Sequence, residues 1–315
     1  MIELKNNTVN IVMYHYVRPL KKSKYPRLKA LELKEFYNQI DFFKKNSNII
    51  SEQDFNLIIE EKKIPKKPSI LLTFDDGYKD HYNYVFPYLI KNKISGSFYP
   101  PQKTIENKMV LDVNKIHFIL EKEPNVKKIL NLIYKYLKKK HIKLFNNLNL
   151  NTIDTSSRFD KKETILIKRL LQHHLPKIIR DKITNDLFTD IVKKDLSQFS
   201  KELYLNKKEL REMYSHGMNF GIHGNYHLWW ENQKDHVIKK EIDKPIKFFR
   251  NILNKKDKIS VCYPYGSFNK NVLSLLKSRK DISFALSTKV NNINKYNLQK
   301  EKLFYPRFDA NDFKK

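Results

Sequence analysis

Cysteine and glycine are nearly missing from this sequence of 315 residues, which has one Cys and six Gly. A lone thiol, Cys262, cannot close an internal disulfide, and without a Cys-x-x-Cys pair there is neither a zinc ribbon nor a dithiol redox centre. No apolar run approaches the roughly 18 residues of a membrane-spanning helix. The opening Met1 to Asn7 lacks the apolar stretch and small-residue cleavage site of a signal peptide. These absences predict a soluble cytoplasmic protein in a reducing compartment. The hydrophobic share is 40%, enough for a substantial core, so wholesale disorder is excluded.

Acidic residues are also in short supply, with 34 Asp and Glu against 62 Lys and Arg, a formal charge of +28. The basic pairs are scattered, for example Lys62-Lys63, Lys161-Lys162 and Lys255-Lys256, with no stripe of the kind nucleic-acid binders carry. No nucleic-acid partner is expected. The charge reads first as a solvated surface, and it also suits peripheral contact with an anionic membrane or a phosphate-bearing substrate.

Short apolar runs rich in branched and aromatic residues mark buried strands at Val9 to Tyr14, Ser69 to Phe74 and Ser95 to Tyr99. Helical spacing lies between them, as in Leu33 to Lys45, and strand-helix-strand repetition predicts a parallel sheet. From 104 to 214 the pattern turns to long Leu/Ile/Lys segments, such as Asn125 to Leu144 and Lys161 to Phe188, which predict an all-helical insertion. Strands resume at Asn219 to Ile222, Ile259 to Tyr263, Ile282 to Leu286 and Leu303 to Tyr305. The expected organisation is therefore a first barrel part over 1–103, the insertion over 104–214 and a second barrel part over 215–315. Seven strands fit a parallel barrel better than an open sheet.

Parallel α/β folds carry their chemistry at the C-terminal strand ends. The second strand ends in Asp75-Asp76-Gly77. Adjacent carboxylates after an apolar strand need a partner. A metal held by one of them, with the other free as a base, supplies it. Read alone, Asp-Asp-Gly serves equally as a turn. The fourth strand ends in His223-Gly224-Asn225-Tyr226-His227, two imidazoles at the i, i+4 spacing seen in zinc sites. Alone that pair is weak, and beside the carboxylates it completes a three-ligand set with positions open for water or substrate.

Thr73 to Gly77 together with His223 to His227 resembles the polysaccharide deacetylases of the NodB-homology type, carbohydrate esterase family 4. The resemblance covers about residues 8–101 and 215–309 and leaves the helical insertion outside. It implies a distorted (β/α)7 barrel and a metal-dependent hydrolase that removes the N-acetyl group from an amino sugar or glycan precursor, in surface polysaccharide biosynthesis. It further implies Asp75 as general base, with Asp76, His223 and His227 as ligands of a divalent metal. Ligand type favours zinc, though iron, cobalt or nickel also suit the set.

The segment Cys262-Tyr263-Pro264-Tyr265-Gly266 aligns with the family's Arg-x-Pro-Tyr, which gives the Tyr265 backbone N–H an oxyanion role. Cys262 stands where many members have an arginine that pairs with the base, and Arg307 is expected to supply that guanidinium from the last strand. Gly224 replaces a common Ser or Thr. No histidine follows His236, so the late-strand general acid is missing, and His15 at the end of the first strand is the expected substitute. Tyr263, Pro264 and Trp229 are candidates for the substrate wall. The expected partner is an N-acetylated carbohydrate, nucleotide-linked or lipid-linked. The alternative is a degenerate barrel that binds carbohydrate or an anionic lipid-linked sugar without turnover.

Overall fold

The computed structural model describes residues 3–21, 23–106, 109–157 and 160–313. Seven parallel strands organise its larger unit: β1 (Val9–Tyr14), β2 (Ser69–Asp75), β3 (Ser97–Tyr99), β4 (Asn219–Phe220), β5 (Ile259–Cys262), β6 (Ile282–Leu286) and β7 (Phe308–Asp309). Strands β7, β1, β2, β3 and β4 are hydrogen-bonded neighbours in that order, and β5 pairs with β6. Two single parallel bridges join these sets, Ile222 to Val261 and Leu286 to Tyr305, and Tyr305 leads straight into β7. The neighbours thus return to their start, a (β/α)7 barrel distorted at two seams.

Six of these strands lie where the apolar runs place them. The seventh does not. Leu303 and Phe304 sit in a turn, Tyr305 makes one bridge, and the paired strand is Phe308–Asp309, which meets Val12 and Met13 of β1. The apolar run packs its side chains without forming a ladder, so periodicity misplaces the strand. A short strand, Asn48–Ile50, extends the pairing along the first half of β2.

Period-2 alternation sorts the barrel side chains into two cores. Ile70, Leu72 and Phe74 of β2 pack into the larger core with the surrounding helices, including Ile242, Ile246 and Phe249 of helix Asp235–Leu253. Leu71 faces the other way, into a cluster with Val9, Ile11, Tyr99 and Cys262. Thr73 and Asp75 continue that second face, and this parity turns the last β2 residue toward the inside of the ring.

The larger unit comprises 1–19, 30–109 and 200–315; a second compact unit comprises 20–29 and 110–199. The helix Gln102–Ile105, which straddles the expected start of the insertion, and the helix Lys207–Ser215, which straddles its expected end, group with the barrel. The second unit is helical, built on Asp112–Lys122, Val126–Lys140, Lys162–Arg169 and Lys177–Leu187. Phe118, Phe188 and Phe199 meet edge to face in its interior, and Arg27 donates to the Glu121 carbonyl at 2.9 Å, holding the 20–29 segment to the helices. No helix among the described residues is long and apolar enough to cross a membrane.

Candidate active site

The chain leaves β2 through a tight left-handed turn, with φ of 69° at Asp76 and 66° at Gly77. A Cβ on Gly77 would lie 2.3 Å from the Pro100 Cβ, so a side chain there has no room. The turn buries both carboxylates, Asp75 at 1% and Asp76 at 3% exposure. One Asp76 oxygen, Oδ2, accepts from the Tyr78 hydroxyl at 2.5 Å. The other, Oδ1, is buried without a hydrogen-bond partner and lies 3.5 Å from Nε2 of both His223 and His227.

Those two Nε2 atoms are 3.1 Å apart. His223 Nδ1 lies 2.8 Å from the Cys262 carbonyl and must donate to it, so in the neutral ring Nε2 is the lone pair. Burial, reinforced by His223, drives His227 down to about 3, so this imidazole is neutral; His223 goes the other way, raised well above its ordinary value by Cys262 and Asp76 against its burial, and would give up a proton on binding a cation. The two Nε2 atoms and an orphaned carboxylate oxygen converge on one point, at edges of 3.1, 3.5 and 3.5 Å. Around a tetrahedral zinc with ligands about 2.0–2.2 Å away, ligand atoms stand about 3.3–3.6 Å apart. The triangle has the dimensions of a cation site, and no hydrogen bond among the described residues satisfies Asp76 Oδ1.

Asp75 faces a different partner. Arg307 forks onto it, Nη1 to Oδ1 at 2.9 Å and Nη2 to Oδ2 at 2.8 Å. The remaining donors go to Thr73 Oγ1 (3.2 Å), the Ser287 carbonyl (2.9 Å) and Cys262 Sγ (3.0 Å), so the buried guanidinium has no capacity left over. Burial pushes the Asp75 carboxyl up, and the guanidinium more than offsets it, holding the group at about 2. The thiol fills the space beside this pair, and burial raises its own pKa, so Cys262 stays protonated.

His15 sits half-buried just past β1, near enough to lower both carboxylates electrostatically. Tyr265 adopts φ 58°, its ring stacked on Trp229 at 4.5 Å and edge-on to His227 at 4.5 Å. Trp229 and Tyr265 are both half-buried, and together they form an aromatic step beside the histidines. Tyr263 and Pro264 stand apart from that step. Tyr263 is fully buried, donates to the Leu303 carbonyl at 2.6 Å and packs on Trp230 and Phe268, and Pro264 is buried as well. The reading of Tyr263 as an open substrate wall is therefore corrected, because strand alternation turns its ring into the larger core.

Three residues around the site are invisible to motif reasoning. Tyr78 binds Asp76 and stacks on Tyr16 at 4.0 Å. His81 is buried, held down to about 4 by desolvation, and bonds the His15 carbonyl at 2.8 Å. Glu241 accepts from the backbone of the histidine loop. Only Glu241 leaves a trace in the sequence, as a carboxylate in the apolar stripe Ile238, Ile242, Pro245 and Ile246.

Comparison with known proteins bears on the fold and the family. The sequence profile for polysaccharide deacetylase matches residues 62–280. YxkH, a candidate polysaccharide deacetylase of Bacillus subtilis, is 27% identical over 99 residues, which is 31% of this chain and only 33% of YxkH. Among solved structures, the Streptococcus pyogenes deacetylase PplD in complex with acetate superposes with a TM-score of 0.61 at 15% identity, over 97% of this chain and 93% of that one. A de-N-acetylase from Aggregatibacter actinomycetemcomitans gives 0.54 at 13% identity, over 96% and 95%. At such identities the likeness is one of fold.

Proposed function

This chain belongs to the polysaccharide deacetylase family, hydrolases of carbon–nitrogen bonds other than peptide bonds, and from that premise we propose that it removes the N-acetyl group of an amino sugar with a divalent metal at Asp76, His223 and His227. The observation that carries the reading is the ligand triangle, with its orphaned Asp76 oxygen, set beside a second carboxylate that Arg307 keeps ionised. When bound there, a cation such as zinc supplies Lewis acidity, polarising an amide carbonyl and easing the loss of a proton from water.

The chain's own residues do the rest. Asp75, ionised and aimed by the Arg307 fork, takes the proton from the attacking water. The Tyr265 backbone N–H donates to the oxygen that gains charge as the amide carbon becomes tetrahedral. His15 hands a proton to the departing nitrogen, which leaves as the free amine while acetate forms. The step of Trp229 and Tyr265 offers the sugar ring an apolar face. A nucleotide-linked or lipid-linked precursor of a surface glycan suits the basic character of the chain, and such a substrate would bring it to an anionic membrane surface. Retention of base and all three ligand positions argues against a degenerate binder.

The test needs no knowledge of the sugar. Elemental analysis of purified wild type and Asp76→Ala should find about one transition metal per chain in the first and little in the second, followed by acetate release from N-acetylated sugars by the wild type alone. A wild type that takes up no metal even when zinc is offered would sink the mechanism.

A further inference from the structure

The loop from His223 to Leu228 has little backbone bonding within itself. It passes through left-handed conformations at Gly224 (φ 77°) and His227 (φ 58°), and its polar groups are met from outside. On one edge, Gln102 N–H and Lys103 N–H donate to the carbonyls of Gly224 and Asn225, at 3.1 Å each. On the other, a single carboxylate gathers the amides. Glu241 accepts from Asn225 N–H at 3.2 Å, from Tyr226 N–H at 3.0 and 3.2 Å, and from Leu228 N–H at 3.4 Å.

Glu241 is 2% exposed and lies on the buried, otherwise apolar face of helix Asp235–Leu253. A carboxylate there is costly unless its bonds are met, and bonds to an ionised acceptor are about twice as strong as neutral ones. The space it fills is shaped for it. A Cβ on Gly224 would stand 2.6 Å from Glu241 Oε2, so the carboxylate occupies the volume that any side chain at 224 would need. A side chain at 224 would have to displace the Glu241 carboxylate from the amides it holds.

We infer that Glu241 is a positioning residue for the metal site: by pinning the amides between and just beyond the two histidines, it sets the spacing of His223 and His227 and hence the affinity for the cation. The inference rests on reading Asp76, His223 and His227 as metal ligands. Glu241→Gln keeps the volume but turns a donor toward amides that are themselves donors, so the loop loses at least one anchor.

The experiment measures zinc Kd by chelator competition, and amide exchange at residues 225, 226 and 228, in wild type, Glu241→Gln and Gly224→Ala. Loss of an outer-shell partner should weaken zinc binding about 10–100-fold. The three amides should lose protection in the metal-free Glu241→Gln variant while the barrel strands keep theirs, which separates loop release from unfolding. Gly224→Ala, which displaces the same carboxylate from the opposite side, should weaken zinc in the same direction. Binding by Glu241→Gln within about twofold of wild type would overturn the inference and leave the metal reading intact. No zinc binding by the wild type itself would overturn the metal reading, and this inference with it, whatever the amides do.

Discussion

Replacing Arg307 by leucine should reverse the way stability depends on pH. In the wild type Asp75 is depressed from 3.8 to about 2, which corresponds to about 2 kcal/mol of stability. For a depressed carboxyl that contribution is complete above about pH 4 and is lost as pH falls toward 2. Remove the guanidinium and burial, the largest influence on the group, is left to push the carboxyl above its ordinary value. The folded state then keeps a proton that the unfolded chain has released, so stability falls as pH rises, by up to about 1.4 kcal/mol per pH unit. The fall continues until the raised pKa is passed, and breaking a buried pair typically costs about 3–5 kcal/mol in all. At about 2–4 °C per kcal/mol for a unit of this size, the variant should melt about 6–20 °C below wild type near pH 7.5, with a clearly smaller gap near pH 4.5. The assay is a set of thermal melts of both proteins in chelator, so that no bound cation contributes. An equal gap at both pH values would refute the argument, because lost packing alone does not titrate.

Tyr263→Phe should cost about 1 kcal/mol through loss of the bond to the Leu303 carbonyl and leave KM for an N-acetylated sugar unchanged; a raised KM would return Tyr263 to the substrate wall. His15→Gln should lower kcat about 10²–10⁴-fold while zinc content by elemental analysis stays at the wild-type level. Should kcat hold instead, the proton for the leaving amine comes from elsewhere. Gly77→Ala drives a methyl to within 2.3 Å of the Pro100 Cβ at a positive φ, and should lower stability in denaturant melts by about 2–4 kcal/mol. An unchanged midpoint would mean the turn can relax.

The strand ends were legible because uninterrupted apolar runs stop abruptly at polar residues, as at Asp75 and His223. The Arg307 fork was expected through the resemblance, which calls for an arginine on the base where Cys262 stands, and a bidentate fork is what orients a carboxylate. What escaped depended on distance in sequence. Phe308–Asp309 is a strand because β1 is there to pair with it, whereas Leu303-Phe304-Tyr305 has the stronger strand propensity. The insertion's edges escaped too, because helices such as Lys207–Ser215 read alike whether they pack on a barrel or on one another. His81 and Tyr78 reach the site through hydrogen bonds to the His15 carbonyl and to Asp76, and no spacing rule encodes such a partner.

The pairing of Val12 with Phe308 has a consequence for how the molecule comes into being. A growing chain makes β1 and Asp75 more than 200 residues before Arg307 and Phe308, which cover them. Long-range pairing of this kind is slow to form, since loop closure must precede any gain. The interior cannot dry around Asp75 at low cost before Arg307 arrives, so ring closure and charge neutralisation are one event. Until that event, a half-made barrel presents the open edge of β1, a strand buried along its whole length in the finished fold, to every neighbour it meets.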